Sequence, residues 1–332
     1  MMKRKHPLTV VVLALSFAAI AAISQLDIWP QETSSFRRLP CHDAVHCLAF
    51  SPDGETLVAG TGVGSGTGEI KLWDLANLQK PRALSGHKSW IMSLAFAPDN
   101  STLGTASYDT VQCWDLAARQ PIITQCEDFG PFLCGHLVFR PDLKQLAIAA
   151  MLPSGPSLQL RSIPPKDSPL TLDCPEFAVA LAFSADGQRL AAAGAKTGVR
   201  IYDTGAGALR LALPGEGNAT ALAFGPDGTI LALGNLWGRV QLWNLVTAEV
   251  HTTWRGHTQP IWGIAFSPDG RLVATSDHAG FIKVWDTATG AEAAHIQAHT
   301  DAVTALAFSP DGHWFASASL DTTVGLWRIS AP

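Results

Sequence analysis

The chain has 332 residues, 47% of them hydrophobic and 15% charged, with a formal net charge of −5. That length exceeds one ordinary core and calls for two domains or one large repeat architecture. Without Lys3, Arg4 and Lys5 the remainder holds 20 basic against 28 acidic residues and no run of Lys and Arg, which excludes a nucleic-acid groove built on clustered positive charge.

The N-terminal segment differs from the rest. Lys3, Arg4 and Lys5 precede an uncharged run from Leu8 to Ile23, broken only by the hydroxyls of Thr9 and Ser16, and Ala19-Ile20-Ala21 fits an A-x-A cleavage pattern. The run is 16 residues long. A membrane span needs about 20, which favours a cleaved signal peptide over an uncleaved anchor. Either one, over residues 1–24, predicts that everything beyond it lies on the non-cytoplasmic side, periplasmic or extracellular, or anchored by residues 8–23. Residues 25–33 read as a linker, and residues 34–332 as one repeat domain.

A phrase then recurs seven times: AFSPDG at Ala49, AFAPDN at Ala95, VFRPDL at Val138, AFSADG at Ala182, AFGPDG at Ala223, and AFSPDG at Ala265 and Ala307. Its phenylalanines are spaced by 46, 43, 44, 41, 42 and 42 residues, which describes an array. Each copy opens with a period-two run such as Val303 to Phe308. A tight turn follows, in which Pro sets φ, Asp bonds its own backbone and Gly takes φ > 0. A second apolar strand, a polar turn, a third strand ending in Trp-Asp and a fourth segment complete the unit. Four short strands at this period make a propeller blade. The predicted fold is all-β: a seven-bladed β-propeller of four-stranded antiparallel blades.

The last copy stops after its third strand, at Arg328-Ile329. An orphan segment, Ser34 to Leu39, stands where a fourth strand would precede the first blade. It is expected to complete the last blade as its outer strand and so to close the ring without an open sheet edge.

Trp73-Asp74, Trp114-Asp115 and Trp285-Asp286 end third strands, with Trp243-Asn244, Tyr202-Asp203 and Trp327-Arg328 as variants. Gly86-His87, Gly256-His257 and the variant Ala298-His299 each place a histidine nine residues before the blade's phenylalanine. With these motifs at fixed offsets, the sequence resembles the WD-repeat family over roughly 290 residues. The resemblance implies a hydrogen-bonded set of the Gly-His histidine, a strand Ser or Thr, a turn Asp and the Trp. Buried ring N–H groups need partners, and a buried carboxylate needs donors. The set falls on His87, Thr105 or Ser107, Asp109 and Trp114 in blade two, and on His299, Ser317 or Ser319, Asp321 and Trp327 in blade seven. Blade six keeps His257 and Trp285 but has Ala279 where the Asp would fall. Blade five has Trp237 there, and blade three has Arg161 for the Trp and an atypical PSGPS loop. Such sets recur once per blade, as structural sets do and active sites do not.

Other motifs read as structural too. The stretch from Gly60 to Gly68 lacks the Gly-Lys-Ser/Thr of a phosphate loop and lies between two strands, so it reads as an enlarged turn. Cys41, His42, His46 and Cys47 have metal-ligand chemistry, but neighbours in an extended strand point to opposite faces. The six cysteines (41, 47, 113, 126, 134 and 174) define no pairing. No metal or cofactor is expected.

Strand order puts the Ser-Pro-Asp-Gly turns on one face and the Gly-His segments and Asp turns on the other. Trp90, Trp237 and Trp262 lie outside the blade-closing position and fall on the Gly-His face, as do the lengthened turns of blades one and three. They form the candidate partner-binding set, with Lys88 and His278 beside them. Exposed Trp is enriched at binding hot spots. The competing reading is that each folds over its own turn. The resemblance implies a non-enzymatic, monomeric scaffold for a protein or peptide partner. The alternative is an extracytoplasmic hydrolase-like propeller, which needs acids converging on inner strands that here are mostly Ala, Leu, Val and Ile.

Overall fold

The computed structural model describes residues 36–62, 67–107, 110–118, 120–125, 133–163, 168–194, 196, 198–214 and 218–329. The targeting segment and linker expected over residues 1–33, Trp29, Asp109 and Cys126 lie outside the described residues.

The described strands number 28 and form seven four-stranded antiparallel sheets. Strand β1 (Phe36–Pro40) comes first. Blade one is β2 to β5 (Val45–Phe50, Thr56–Thr61, Glu69–Asp74, Asn77–Ser85), and blade two is β6 to β9 (Ile91–Phe96, Thr102–Ser107, Val111–Asp115, Gln120–Gln125). Blade three is β10 to β13 (Leu133–Phe139, Gln145–Leu152, Gly155–Ser162, Leu170–Leu172), and blade four is β14 to β17 (Ala178–Phe183, Arg189–Gly194, Val199–Asp203, Leu209–Leu213). Blade five is β18 to β21 (Ala219–Phe224, Ile230–Asn235, Arg239–Asn244, Glu249–Arg255), and blade six is β22 to β25 (Ile261–Phe266, Leu272–Asp277, Phe281–Asp286, Glu292–Gln297). Blade seven has β26 to β28 (Val303–Phe308, Trp314–Ser319, Thr323–Arg328) and takes β1 as its outer strand, Phe36 opposite Trp327 and Pro40 opposite Thr323. The clasp therefore covers Phe36–Pro40, one to two residues later than the orphan segment read from the sequence.

The repeated turn is a closed hydrogen-bonding unit. In blade six Ser267 Oγ donates to Asp269 Oδ1 at 2.6 Å and accepts from Leu272 N at 2.9 Å, and Asp269 Oδ1 accepts from Arg271 N at 3.0 Å. Gly270 sits at φ 71°, the conformation that L side chains resist. The same Ser–Asp bond joins the innermost strand to the second in blades one, four and seven, while blades two, three and five have Ala97, Arg140 and Gly225 in place of the Ser and keep the bond from the backbone to the Asp.

The core is divided among the seams between blades. Trp73 packs with Val324, Leu326 and Leu39, Trp114 with Ile70 and Leu84, and Trp285 with Ala232 and Leu242. The blade-closing tryptophan thus buries its ring against the preceding blade, which is why it recurs. The innermost strands share a second device. Each carries a β-bulge four residues before its phenylalanine, at His46, Met92, Gly135, Val179, Thr220, Trp262 and Thr304. Near these bulges, side chains of one blade capture carbonyls of the next: Thr304 Oγ1 donates to Val45 O at 2.7 Å, Ser276 Oγ to Val303 O at 3.1 Å, and Cys47 Sγ to Ile91 O at 3.4 Å. Thr220 Oγ1 bonds Ile261 O in the same way.

One turn expectation, that of blade three, is corrected. The atypical segment of blade three is a long hairpin, with Leu152 opposite Gly155, so its strands are lengthened and its turn is short. In the Gly-rich segment of blade one, the described glycines answer close packing by blade two: a methyl group at Gly60 would meet Ile91 at 2.6 Å, one at Gly62 the Trp90 backbone at 2.8 Å, and one at Gly68 the Ser89 carbonyl at 2.5 Å.

Candidate protein-interaction face

The seven inner strands line a central channel of roughly 630 Å³. Leu48, Leu94, Leu137, Leu181, Leu222 and Leu306, with Ile264, form an apolar collar. The bulge residues His46, Met92, Thr220, Trp262 and Thr304 lie at the end of the strands nearer the Gly-His segments, with His136 beside them. A bulge releases its residue from the ladder and re-aims its side chain. That places Trp262 at the channel mouth with 47% of its surface exposed, its ring 6.0 Å from that of His278.

Trp237 comes from the adjacent blade. It sits in the turn between β19 and β20, 52% exposed, next to the exposed Leu236. The turn is held from beneath, because Asn235 Oδ1 accepts from the backbone N–H groups of Trp237 and Arg239, both at 3.0 Å. Trp90 behaves differently. It is half-buried, stacked on His46 of blade one with ring centroids 5.0 Å apart and planes 5° apart. Lys88 is exposed in the same connection into blade two. The structure thus joins Trp262 and His278, sets Trp237 on the neighbouring blade, and keeps Trp90 and Lys88 on blade two, separate from the other three. The remaining described tryptophans pack locally: Trp254 lies 5.4 Å from Trp285, and Arg328 lies over Trp314.

The motif histidines are buried in hydrogen-bonded sets. In blade six, Trp285 Nε1 donates to Thr275 Oγ1 at 2.8 Å, and His257 bonds Thr275 Oγ1 at 2.8 Å and Asp277 Oδ2 at 2.9 Å. With the indole N–H accepted by Thr275, its hydroxyl proton is free for His257 Nε2, so Nδ1–H donates to Asp277. The carboxylate missing at Ala279 is therefore supplied two residues earlier, from the end of β23. Burial alone would raise the Asp277 carboxyl, but hydrogen bonds from His257 and Phe281 N hold it below its usual range. In blade seven His299 bonds Ser317 Oγ at 2.6 Å and Asp321 Oδ2 at 2.9 Å, while Trp327 packs 5.5 Å from Phe315. In blade two His87 bonds Thr105 at 2.7 Å and Ser107 and Thr110 at 2.8 Å, and Trp114 Nε1 donates to Thr105 at 2.9 Å.

Residues absent from the sequence reading of the mouth are Met92, His136 and, in its channel role, His46. Their shared place, three or four residues before each motif phenylalanine, was available as a signal. Burial lowers the pKa of His46 and His136. Burial also pushes the Cys47 thiol up to about 12 and the Cys113 thiol to about 11, leaving both protonated near neutral pH. Cys47 spends its proton on Ile91 O and His46 bonds Gly62 O at 3.0 Å, which ties down two of the four residues with metal-ligand chemistry.

The family described as WD domain, G-beta repeat, matches residues 33–74, 78–115, 248–286 and 290–328. Periodic tryptophan protein 2 of Saccharomyces cerevisiae is 33% identical over 107 residues, which cover 32% of this chain and 11% of that protein. Pre-mRNA-processing factor 19 homolog 2 of Arabidopsis thaliana is 40% identical over 105 residues, covering 31% and 18%. The match therefore takes in only a small part of these curated relatives. Among solved structures, the β-propeller domain of Cps50 (Swd1) from Myceliophteria thermophila superposes with a TM-score of 0.74 at 19% identity, covering 89% of this chain and 100% of that one.

These findings overturn the expected export or membrane anchoring. The relatives are periodic tryptophan proteins and a factor named for pre-mRNA processing, which is intracellular chemistry. Among the described residues no helix is long and apolar enough to cross a membrane. The expectation rested on the basic residues Lys3, Arg4 and Lys5, the 16-residue apolar run behind them and the Ala19-Ile20-Ala21 pattern, all of which lie outside the described residues. Seven four-stranded blades closed by an N-terminal strand, four of them matching the repeat family, establish that this chain belongs to the WD-repeat β-propeller family.

Proposed function

We propose that this propeller is a non-enzymatic scaffold that docks a protein or peptide partner on its Gly-His face, centred on Trp262 and Trp237 with His278 beside them. Family membership supports the scaffold role. The observation that carries the site is Trp262, a large aromatic held half-exposed at the channel mouth by a bulge that other blades fill with Thr, Val, Met, His or Gly. Solvent exposure of two tryptophans on adjacent blades suits burial by a partner. A hydrolase-like channel has less support, because the described lining contributes two histidines and no carboxylate.

The test is crosslinking and co-purification from the native host, followed by titration of the recovered partner. Trp262→Ala should weaken binding by more than tenfold, since a hot-spot Trp contributes at least about 2 kcal/mol, with little change in melting temperature. Trp90→Ala should act mainly on stability, through its stack on His46. Normal binding by Trp262→Ala and Trp237→Ala, with weakened binding by Asp269→Ala, would place the site on the opposite face.

A further inference from the structure

We propose that the seam between blades six and seven, on the face of the Ser-Pro-Asp-Gly turns, is a pocket for an arginine side chain presented by a peptide partner. This face is opposite the one considered above, and the inference does not rest on that reading.

On this face successive turns lean on one another. A methyl group added at Gly54 would touch Asp311 of the preceding blade at 3.5 Å, one at Gly187 would meet Arg140 at 2.7 Å, and one at Gly270 would meet Pro226 at 3.2 Å. At Gly228 it would run into the guanidinium of Arg189. At Gly312 it would meet nothing within 4 Å. The seam leading to Gly312 is open, and a cavity of roughly 220 Å³ lies there, floored by Pro268, Leu272, Phe308 and Ile329 with Asp269 and Asp311 at its rim. That is below the roughly 300–1,000 Å³ of a site for a drug-sized ligand and suits one side chain.

The seam between blades four and five shows what fits such a place. Arg189 opens β15 and lays its guanidinium 5.5 Å from the centroid of Phe224, against Gly228. Hydrogen bonds from Thr229 and, in lesser part, the charge of Arg189 hold the Asp227 carboxyl below its usual range. Leu272 occupies the position of Arg189: Leu272 N donates to Ser267 Oγ at 2.9 Å as Arg189 N does to Ser184 Oγ at 3.0 Å. Phe308, Asp311 and Gly312 repeat the spacing of Phe224, Asp227 and Gly228. The same spacing occurs at Phe50, Phe183 and Phe266, but there a side chain of the preceding blade lies against the glycine; of these five places only the one at Gly312 is open, and there a shorter apolar side chain stands where Arg189 fills the seam between blades four and five. Among the described residues no cation lies over the Phe308 ring, and Arg271 at the rim is exposed. Burial would raise the Asp311 carboxyl, but hydrogen bonds from Ser309 and His313 N hold it low, so it stays anionic at neutral pH. An aromatic face beside a carboxylate suits a planar guanidinium better than an ammonium.

The experiment titrates the full chain with an end-capped alanine pentapeptide carrying one central arginine, and with its lysine and citrulline counterparts, following the backbone amides of Gly312 and His313 by NMR. The arginine peptide should shift both amides and bind at least tenfold tighter than the citrulline peptide. Asp311→Asn should weaken it at least fivefold, and Leu272→Arg, which restores an internal arginine, should abolish it. Arg189→Leu should open the older seam and add a second set of shifts at Gly228. Should Leu272→Arg fail to fold, the Asp311→Asn loss and the Arg189→Leu gain decide the matter. Equal binding of arginine and citrulline peptides, or full binding by folded Leu272→Arg, would overturn the proposal.

Discussion

Leu39 is the place to test ring closure. It belongs to β1, is only 6% exposed, and packs with Val324 and Leu326 of blade seven and with Val45 and Trp73 of blade one. Leu39→Ala removes three carbons from a buried site. At about 0.8 kcal/mol per methylene the transfer loss is about 2.4 kcal/mol, and the cavity left behind raises it into the range of about 2.5–4 kcal/mol. The control is Leu209→Ala on the outer strand of blade four, where Leu209 is 43% exposed and the cost should stay within about 0.5 kcal/mol. Urea unfolding followed by tryptophan fluorescence reads both, since Trp73 and Trp327 flank the clasp. If β1 closes the ring, the whole transition moves to lower urea, because opening one seam exposes the edges of blades seven and one together. A main transition unmoved by Leu39→Ala, preceded at most by a small early step, would show that β1 decorates blade seven without closing anything.

Three further outcomes follow from the same geometry. Asp277→Ala should lower stability by about 1–3 kcal/mol, because it leaves His257 and the Phe281 N–H without their buried acceptor, whereas Ala279→Ser should be near neutral; equal effects in thermal melts would refute the displaced carboxylate. Thr304→Val should cost about 1–2 kcal/mol by uncovering Val45 O at the seam between blades seven and one, and hydrogen exchange should quicken at β2 before blade four; uniform quickening would deny a local hook. Acid should destabilise the ring. Burial lowers the pKa of His299, against the pull of Asp321, and lowers those of His136 and His46. The folded chain therefore binds fewer protons than the unfolded one, and stability falls as pH drops below about 6.5, the unfolded value. Asp277 and Asp321, both held low, add a further loss only at still lower pH. The melting temperature should fall between pH 7.5 and pH 5, and less steeply in His136→Gln; a rise over that interval would contradict the sign.

Much of this was legible in the residues because its causes are local. The Ser-Pro-Asp-Gly turn is stabilised within six residues, as the Ser267 and Asp269 bonds show, so it leaves an imprint wherever it occurs. Counting the turns yields seven blades, and the missing fourth strand at Ile329 points to the clasp. The set around His87, His257 and His299 was readable only as a motif. Its carboxylate moved from the turn to the strand end in blade six, where Asp277 reaches the same imidazole nitrogen, and no fixed offset could show that. The channel residues Met92 and His136 went unread because they act through the ring axis, where seven distant segments converge. The N-terminal segment misled for the converse reason: a basic start, an apolar run and a small-residue pattern are local properties, and they carry no information about the relatives to which the rest of the chain is similar.

Sequence by itself determined the number of blades, the strand order and the closure, since period-two strands and tight turns are short-range and repeat in register. Tertiary structure decided what each blade does with its spare side chains. Trp90 just before β6 and Trp262 in the bulge of β22 both follow a Gly-His segment, yet one stacks on His46 and the other faces the channel mouth. Arg189 and Leu272 open equivalent strands, yet one seam is filled and the other is open. The physical reason is common to both. A propeller's core lies between blades, so the environment of a side chain is set by a neighbour some 40 residues away, and burial, stacking and open space exist only once the ring has closed.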